Sequence, residues 1–211
     1  MVSRKKCLQN FKLYAVTDLK TLETSFLKKA EAVLRGGVDI LQLRSKVLSD
    51  AELVRVGRSL RVLTKRLGKL FFVNDRPDLC ILLDADGVHI GQDDLPVKAV
   101  RQLVGRQRLI GKSTHSLVQA KATLREDVDY IGCGPIFATP TKPDYQEVGL
   151  KLLSKVQRIA KKPVVCIGGI NLANAGKVRE AGAGRIAVVR ALWNAKDPRA
   201  AAQQFKKILT D

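Results

Sequence analysis

Short apolar runs alternate with amphipathic stretches eight times along the chain, and this alternation limits the possible folds more than any other feature. Residues 12–18, 39–44, 70–74, 87–91, 109–113, 129–134, 163–168 and 185–189 read as strands. Residues 22–35, 50–67, 96–104, 116–125, 149–160, 171–181 and 198–209 read as helices, and Pro77 opens a short one. Ser49 or Asp50 can cap the long helix that buries Leu53, Val56, Leu60 and Leu63. The strand runs are apolar and β-branched, as expected where helices cover a parallel sheet. Strand-then-helix repetition of this kind is the pattern of an α/β fold, here a TIM (β/α)8 barrel spanning residues 1–211 as one domain. Gly-Gly-Val-Asp39, Asp-Ala-Asp86-Gly, Glu-Asp-Val-Asp129 and Ala-Gly-Ala-Gly184 each sit just before a strand, an internal echo of one turn reused. A doubly wound open sheet is the alternative. The missing Gly-x-Gly-x-x-Gly turn after the first strand counts against its dinucleotide-binding form.

Composition excludes other classes. At 211 residues and 45% hydrophobic content the chain can bury a substantial core, which argues against disorder. Lys and Arg number 38 against 20 acidic residues, a formal charge of +18 that would draw phosphorylated ligands or other polyanions. No apolar run approaches the roughly 20 residues of a spanning helix. Arg4, Lys5 and Lys6 precede no apolar segment, so neither a signal peptide nor a membrane partner is expected and a cytoplasmic location is. Cys7, Cys80, Cys133 and Cys166 lie far apart, which fits reduced, mostly buried thiols and no zinc site.

In a barrel of this kind chemistry sits at the C-terminal strand ends. Gln42, Arg44 and Lys46, spaced by two, share one side of an extended strand. The third strand ends at Asn74 and Asp75, and the fourth delivers His89, Gln92, Asp93 and Asp94. Ser113 and His115 follow the fifth, Thr139, Thr141 and Lys142 the sixth, Gly168-Gly169 the seventh, and Val189-Arg190 the eighth. Strands ~4.8 Å apart would let Asp75 and Asp93 or Asp94 hold one hard cation. Gly168-Gly169 is expected to open a helix whose N–H groups bind phosphate. Each residue also has a plainer reading: Asp75 as a helix cap, Gly168-Gly169 as a tight turn, Ser113 and His115 as wall residues without a nucleophile elbow. Jointly, however, the strand ends read as a mouth for two phosphorylated small molecules, one a diphosphate held through Mg²⁺.

Tyr14-Ala-Val-Thr-Asp18, Gln42-Leu-Arg-Ser-Lys46, Val73-Asn-Asp-Arg76, Gly87-Val-His-Ile-Gly-Gln-Asp-Asp94, Gly111-Lys-Ser-Thr-His115, Asp129-Tyr-Ile-Gly-Cys-Gly-Pro135, Thr139-Pro-Thr-Lys142 and Ile167-Gly-Gly-Ile170 together resemble the thiamine-phosphate synthase family. The resemblance implies a TIM-barrel transferase that joins hydroxymethylpyrimidine diphosphate to the nitrogen of hydroxyethylthiazole phosphate and releases pyrophosphate. In that family the bond to pyrophosphate breaks first and the thiazole nitrogen captures the pyrimidine cation. Carried over by motif, Asp75 and Asp94 would hold Mg²⁺. Gln42, Leu43, Arg44, Ser45, Lys46, Asn74, Ser113 and Lys142 would bind the pyrimidine diphosphate, with Arg44, Lys46, Asn74, Ser113 and Lys142 acting catalytically. Thr139, Pro140, Thr141, Gly169, Val189 and Arg190 would bind the thiazole phosphate. Arg190 departs from the small Ser usual there.

A thiazole tautomerase of the same fold is the rival reading; it would use a proton shuttle such as His115 but not the diphosphate and metal set. A nucleic-acid-binding role for the basic stripe Arg55, Arg58, Arg61 and Lys65 is more remote, because aromatics for base stacking make up only 5% of the chain. Homo-oligomerisation stays open.

Overall fold

A computed structural model describes residues 4–140 and 146–211. Eight parallel strands close into a barrel in chain order: β1 (Leu13–Val16), β2 (Ile40–Leu43), β3 (Leu70–Asn74), β4 (Gly87–Ile90), β5 (Leu109–Thr114), β6 (Tyr130–Cys133), β7 (Val164–Cys166) and β8 (Ile186–Val188). Closure comes from β1 against β8, with Leu13 beside Ile186. Outside the strands lie α2 (Phe26–Arg35), α3 (Asp50–Arg66), α4 (Pro77–Leu82), α5 (Val97–Val104), α6 (Leu117–Leu124), α7 (Gly149–Ile159), α8 (Ala175–Glu180) and α10 (Pro198–Thr210). Ser49 caps α3 in a capping box with Glu52. Two further helices carry no clear sequence signal: α1 (Arg4–Asn10) and α9 (Arg190–Trp193). In α1 the basic residues mask a minimal apolar face, Leu8, which with Phe11 just beyond the helix is buried against the foot of the barrel.

Several strands are shorter than the extended pattern predicts, β1 and β7 most of all. Beyond the ladder, side chains take over the backbone groups. The Thr17 hydroxyl donates to the Arg44 carbonyl at 2.8 Å and accepts from the Arg44 N–H at 2.7 Å. The segment stays extended without being a ladder strand.

The internal echo has a structural meaning at the N-terminal end of the barrel. Asp39, Asp86 and Asp129 each immediately precede an even strand. Each carboxylate accepts an N–H from the odd strand before it: Leu13 at 3.1 Å, Phe71 at 2.9 Å and Ile110 at 2.8 Å. A cation then neutralises each one: Lys206 for Asp39, Arg4 and Arg61 for Asp86, and Arg101 for Asp129. In the fourth quarter Arg185 occupies the corresponding place, lies over the Phe11 ring and donates to the Gln9 carbonyl at 2.6 Å. Its partner is the α1 segment rather than a strand. Arg61, placed on the exposed basic stripe by sequence, is thus committed to a buried ion pair, while Arg55, Arg58 and Lys65 are exposed.

Inside the barrel, Tyr14, Phe72 and Tyr130 fill the axis, with ring centroids 5.8–6.2 Å apart. That separation suits aromatic packing. Gly111 gives Tyr130 its space: a Cβ there would stand 2.1 Å from Tyr130 Cζ. A larger cluster, including Leu41, Val73, Val88 and Ile131, joins the strands to the helices.

Burial accounts for the cysteines too. Cys80, Cys133 and Cys166 are buried and reduced, and loss of water pushes the Cys80 and Cys133 thiols up to about 12. Gly111→Ala should overpack the axis and cost about 2 kcal/mol in urea unfolding. Gly176→Ala in α8, where a Cβ meets nothing within 4 Å, should be neutral or stabilising in the same assay.

Candidate active site

Two adjoining cavities open at the C-terminal ends of the strands. The first, of about 270 Å³, runs from Gln42 and Ser113 across to Gly168, Gly169 and Val189. The second, of about 190 Å³, is lined by Lys46, Asp75, Asp93 and Asp94. Arg44, Asn74, His89, Ser113 and His115 line both, so the two form one mouth.

The acidic half is set by backbone geometry. Asp75 follows the last β3 residue with φ of 59°, a left-handed conformation uncommon for a residue with a Cβ. It does not cap α4, whose N-cap position belongs to Arg76. Its carboxylate faces Asp94 and accepts from Lys46 Nζ at 2.7 Å. Asp94 in turn accepts from the Gly91 N–H at 2.6 Å. Burial pulls the Asp75 carboxyl upward, but the hydrogen bonds from Lys46 and Asp94 outweigh it and hold Asp75 below the ordinary range. Burial raises Asp94, the Gly91 N–H opposes, and the shared bond to Asp75 adds to the rise. Asp75 therefore adds stability at neutral pH that is lost as pH falls through its folded pKa. Asp94 has the opposite sign: its contribution is present in acid and lost as pH rises through its folded pKa.

Two of the cations in the mouth, Arg44 and Lys46, are paired. Arg44, 8% exposed, forms an ion pair with Asp18, and Lys46 holds Asp75. Arg76 is occupied outside by Asp50 and Asp78. Charge is thus stored as neutral pairs, which an anionic ligand or a cation could exchange.

Not every expected residue reaches the mouth. The Leu43 side chain lies in the outer core beside Gly57, so only its backbone could meet a ligand. Ser45 Oγ donates to the Leu19 carbonyl and accepts from the N–H groups of Val47 and Leu48, closing its own loop. Gln42, Arg44, Lys46, Asn74, Asp75, Asp94 and Ser113 line one or both cavities. Thr139, Gly169, Val189 and Arg190 also line the first cavity, whereas Pro140 is exposed and outside the lining. Thr141 and Lys142 lie outside the described residues.

Gly168 and Gly169 have φ of 101° and 64°, and a Cβ on Gly169 would stand 2.7 Å from the Ala138 carbonyl oxygen. The expectation that this turn opens a helix is corrected: α8 starts only at Ala175. Asn171 and Asn174 divert the intervening backbone, because their side-chain oxygens accept the N–H groups of Ala173, Asn174 and Asn171. Those donors are therefore spent within the turn.

Two residues beneath the mouth have no place among the expected site residues, Tyr14 and Tyr130. Both are buried near the starts of their strands, and their hydroxyls bond to each other and to Gln42 and His89, which line the first cavity. The inward parity shared by Tyr130 and Gly132 was the available signal.

A profile of the family described as Thiamine monophosphate synthase matches residues 13–192. The thiamine-phosphate synthase of Thermosynechococcus vestitus is 42% identical over 208 residues, covering 99% of this chain and 58% of that protein. The chain thus spans less than two thirds of the length of that relative. The thiamine-phosphate synthase of Chloroflexus aurantiacus is 43% identical, covering 95% of this chain and 94% of that protein. Among solved structures, the thiamine phosphate pyrophosphorylase of Pyrococcus furiosus superposes with a TM-score of 0.87 at 36% identity, covering 97% of this chain and 96% of that one.

Lys46→Met should let the Asp75 carboxyl rise, because the largest interaction opposing burial is gone. A carboxyl-carbon NMR titration of wild type and variant reads this directly, and an unmoved Asp75 would count against the pairing.

Proposed function

The chain belongs to the thiamine monophosphate synthase family, and on that footing we propose that it is the transferase which joins hydroxymethylpyrimidine diphosphate to hydroxyethylthiazole phosphate, giving thiamine phosphate and pyrophosphate. The observation that carries the reading is one mouth with two different halves. One half holds a carboxylate pair with exchangeable cations, and the other is wrapped by the Gly168-Gly169 turn.

In this reading Asp75 and Asp94 hold Mg²⁺. The donor set fits: two facing carboxylates, of which Asp94 is raised by burial and further by Asp75, form a site where a hard cation relieves like-charge repulsion. Bound there, Mg²⁺ would supply a Lewis acid that offsets charge on the departing diphosphate. Arg44, Lys46, Asn74 and Ser113 take the pyrimidine diphosphate, and Lys142, matched by motif alone, adds a further cation. Binding would draw Lys46 from Asp75 to the ligand, which keeps a countercharge beside the leaving group without burying an unpaired ammonium. Thr139, Gly169, Val189 and Arg190 take the thiazole phosphate. Arg190, which also lines the neighbouring cleft beside Thr17 and Lys20, supplies countercharge where the family uses a small Ser. A neutral thiazole nitrogen attacks, so no general base is needed.

Among the described residues no helix is long and apolar enough to cross a membrane, consistent with small-molecule partners and a cytoplasmic place in thiamine biosynthesis. Purified protein with both substrates should form thiamine phosphate and pyrophosphate, and chelation of Mg²⁺ should abolish this. Asp94→Ala should lower kcat by on the order of 10²-fold. Near-full activity of that variant, or thiazole isomerisation in place of coupling by the same preparation, would overturn the assignment.

A further inference from the structure

A chain of five hydrogen-bonded side chains crosses the barrel beneath the mouth, and its two ends are both cavity-lining residues. Gln42 Nε2 on β2 donates to the Tyr14 hydroxyl at 2.7 Å. Tyr14 and Tyr130 hydroxyls meet at 3.2 Å across the barrel. Tyr130 reaches His89 Nδ1 at 2.8 Å, and His89 Nε2 reaches Ser113 Oγ at 2.8 Å. The His89 ring also stacks on Tyr130, centroids 5.5 Å apart, so it has little freedom to turn. Tyr14 and Tyr130 are 2% and 0% exposed, which places the middle of the chain out of water.

Donor chemistry gives this chain a direction. The Gln42 amide nitrogen can only donate, so the Tyr14 oxygen accepts from it. Tyr14 then gives its single proton to Tyr130, and Tyr130 gives its own to His89 Nδ1. A neutral imidazole that accepts at Nδ1 carries its hydrogen on Nε2 and donates it to Ser113 Oγ. Ser113 is left with its hydroxyl hydrogen directed to the pocket. Burial raises both phenols, which keeps them protonated and able to pass the order along.

We propose that Tyr130, with Tyr14 behind it, is a positioning residue that acts through His89 to fix Ser113 as a hydrogen-bond donor toward the anionic oxygens of the bound diphosphate. This rests on the proposed reading for the ligand, while the direction of the chain does not. Because Gln42 is at the other end, a ligand group that engages the Gln42 carbonyl oxygen locks its amide nitrogen toward Tyr14. The two ligand contacts are thereby linked through the floor of the site.

The tautomer of His89 in the ligand-free protein is the first test. With only two histidines in the chain, long-range ¹H–¹⁵N correlation resolves each ring after one His115 substitution. The expected result is the Nε2–H form of His89 at pH 8; the Nδ1–H form, or averaging between forms, overturns the proposal. Tyr130→Phe keeps the ring and deletes the hydroxyl, and should mix the His89 tautomers and lower kcat about tenfold. In a Ser113→Ala background the same change should cost nothing further, whereas multiplicative losses would show a merely structural role and overturn the proposal. Failure of thiamine phosphate formation in wild type would sink the functional reading and leave the tautomer result standing.

Discussion

Three buried rings decide what the mouth of this barrel can be. Tyr14, Phe72 and Tyr130 plug the axis at mid-height. Everything above them is a shallow site rather than a pore. Two of the three carry hydroxyls, and a buried hydroxyl must find a partner. They satisfy each other and then reach upward to Gln42 and His89. The same side chains thus supply the apolar plug and the buried hydroxyls behind Gln42 and His89, and the glycine at position 111 admits one of them.

Below the plug the fold solves a different problem. Near the start of β1, β3 and β5 one N–H, that of Leu13, Phe71 or Ile110, is taken up by the side chain of Asp39, Asp86 or Asp129. Each of these carboxylates, Asp86 buried and the other two partly so, is matched by a cation: Lys206, Arg4, Arg61 and Arg101 serve there. Some of the 38 basic residues are therefore structural countercharge, balanced by the acids they meet. Arg55, Arg58 and Lys65 are exposed and add to the positive charge of the surface.

Above the plug the same economy of charge recurs with exchangeable members. Arg44 and Lys46 sit on Asp18 and Asp75 rather than waiting as bare cations. For buried Arg44 the desolvation cost of an unpaired ion makes this pairing the lower-energy resting state. Solved barrels at low identity, such as 3-hexulose-6-phosphate synthase at 20% and a TM-score of 0.68, share the scaffold alone.

The eightfold strand–helix order, the long capped helix after Ser49 and the joint placement of Arg44, Lys46, Asp75, Asp94 and Ser113 were legible in the sequence, because period and strand-end position are local properties. Other features were not. The echo before the even strands was visible as letters, but its meaning needed the neighbouring strand that Asp39, Asp86 and Asp129 bond to. Helix α1 and the delayed start of α8 depend on what Leu8, Asn171 and Asn174 touch, which propensity does not report. Leu43 and Ser45 belong to a site motif, yet strand parity and loop closure turn their side chains elsewhere. Sequence alone determined the barrel and the chemical inventory of its rim. Only tertiary structure decided which charges neutralise each other and which side chains are linked from Gln42 to Ser113, since both depend on contacts between residues that lie far apart along the chain.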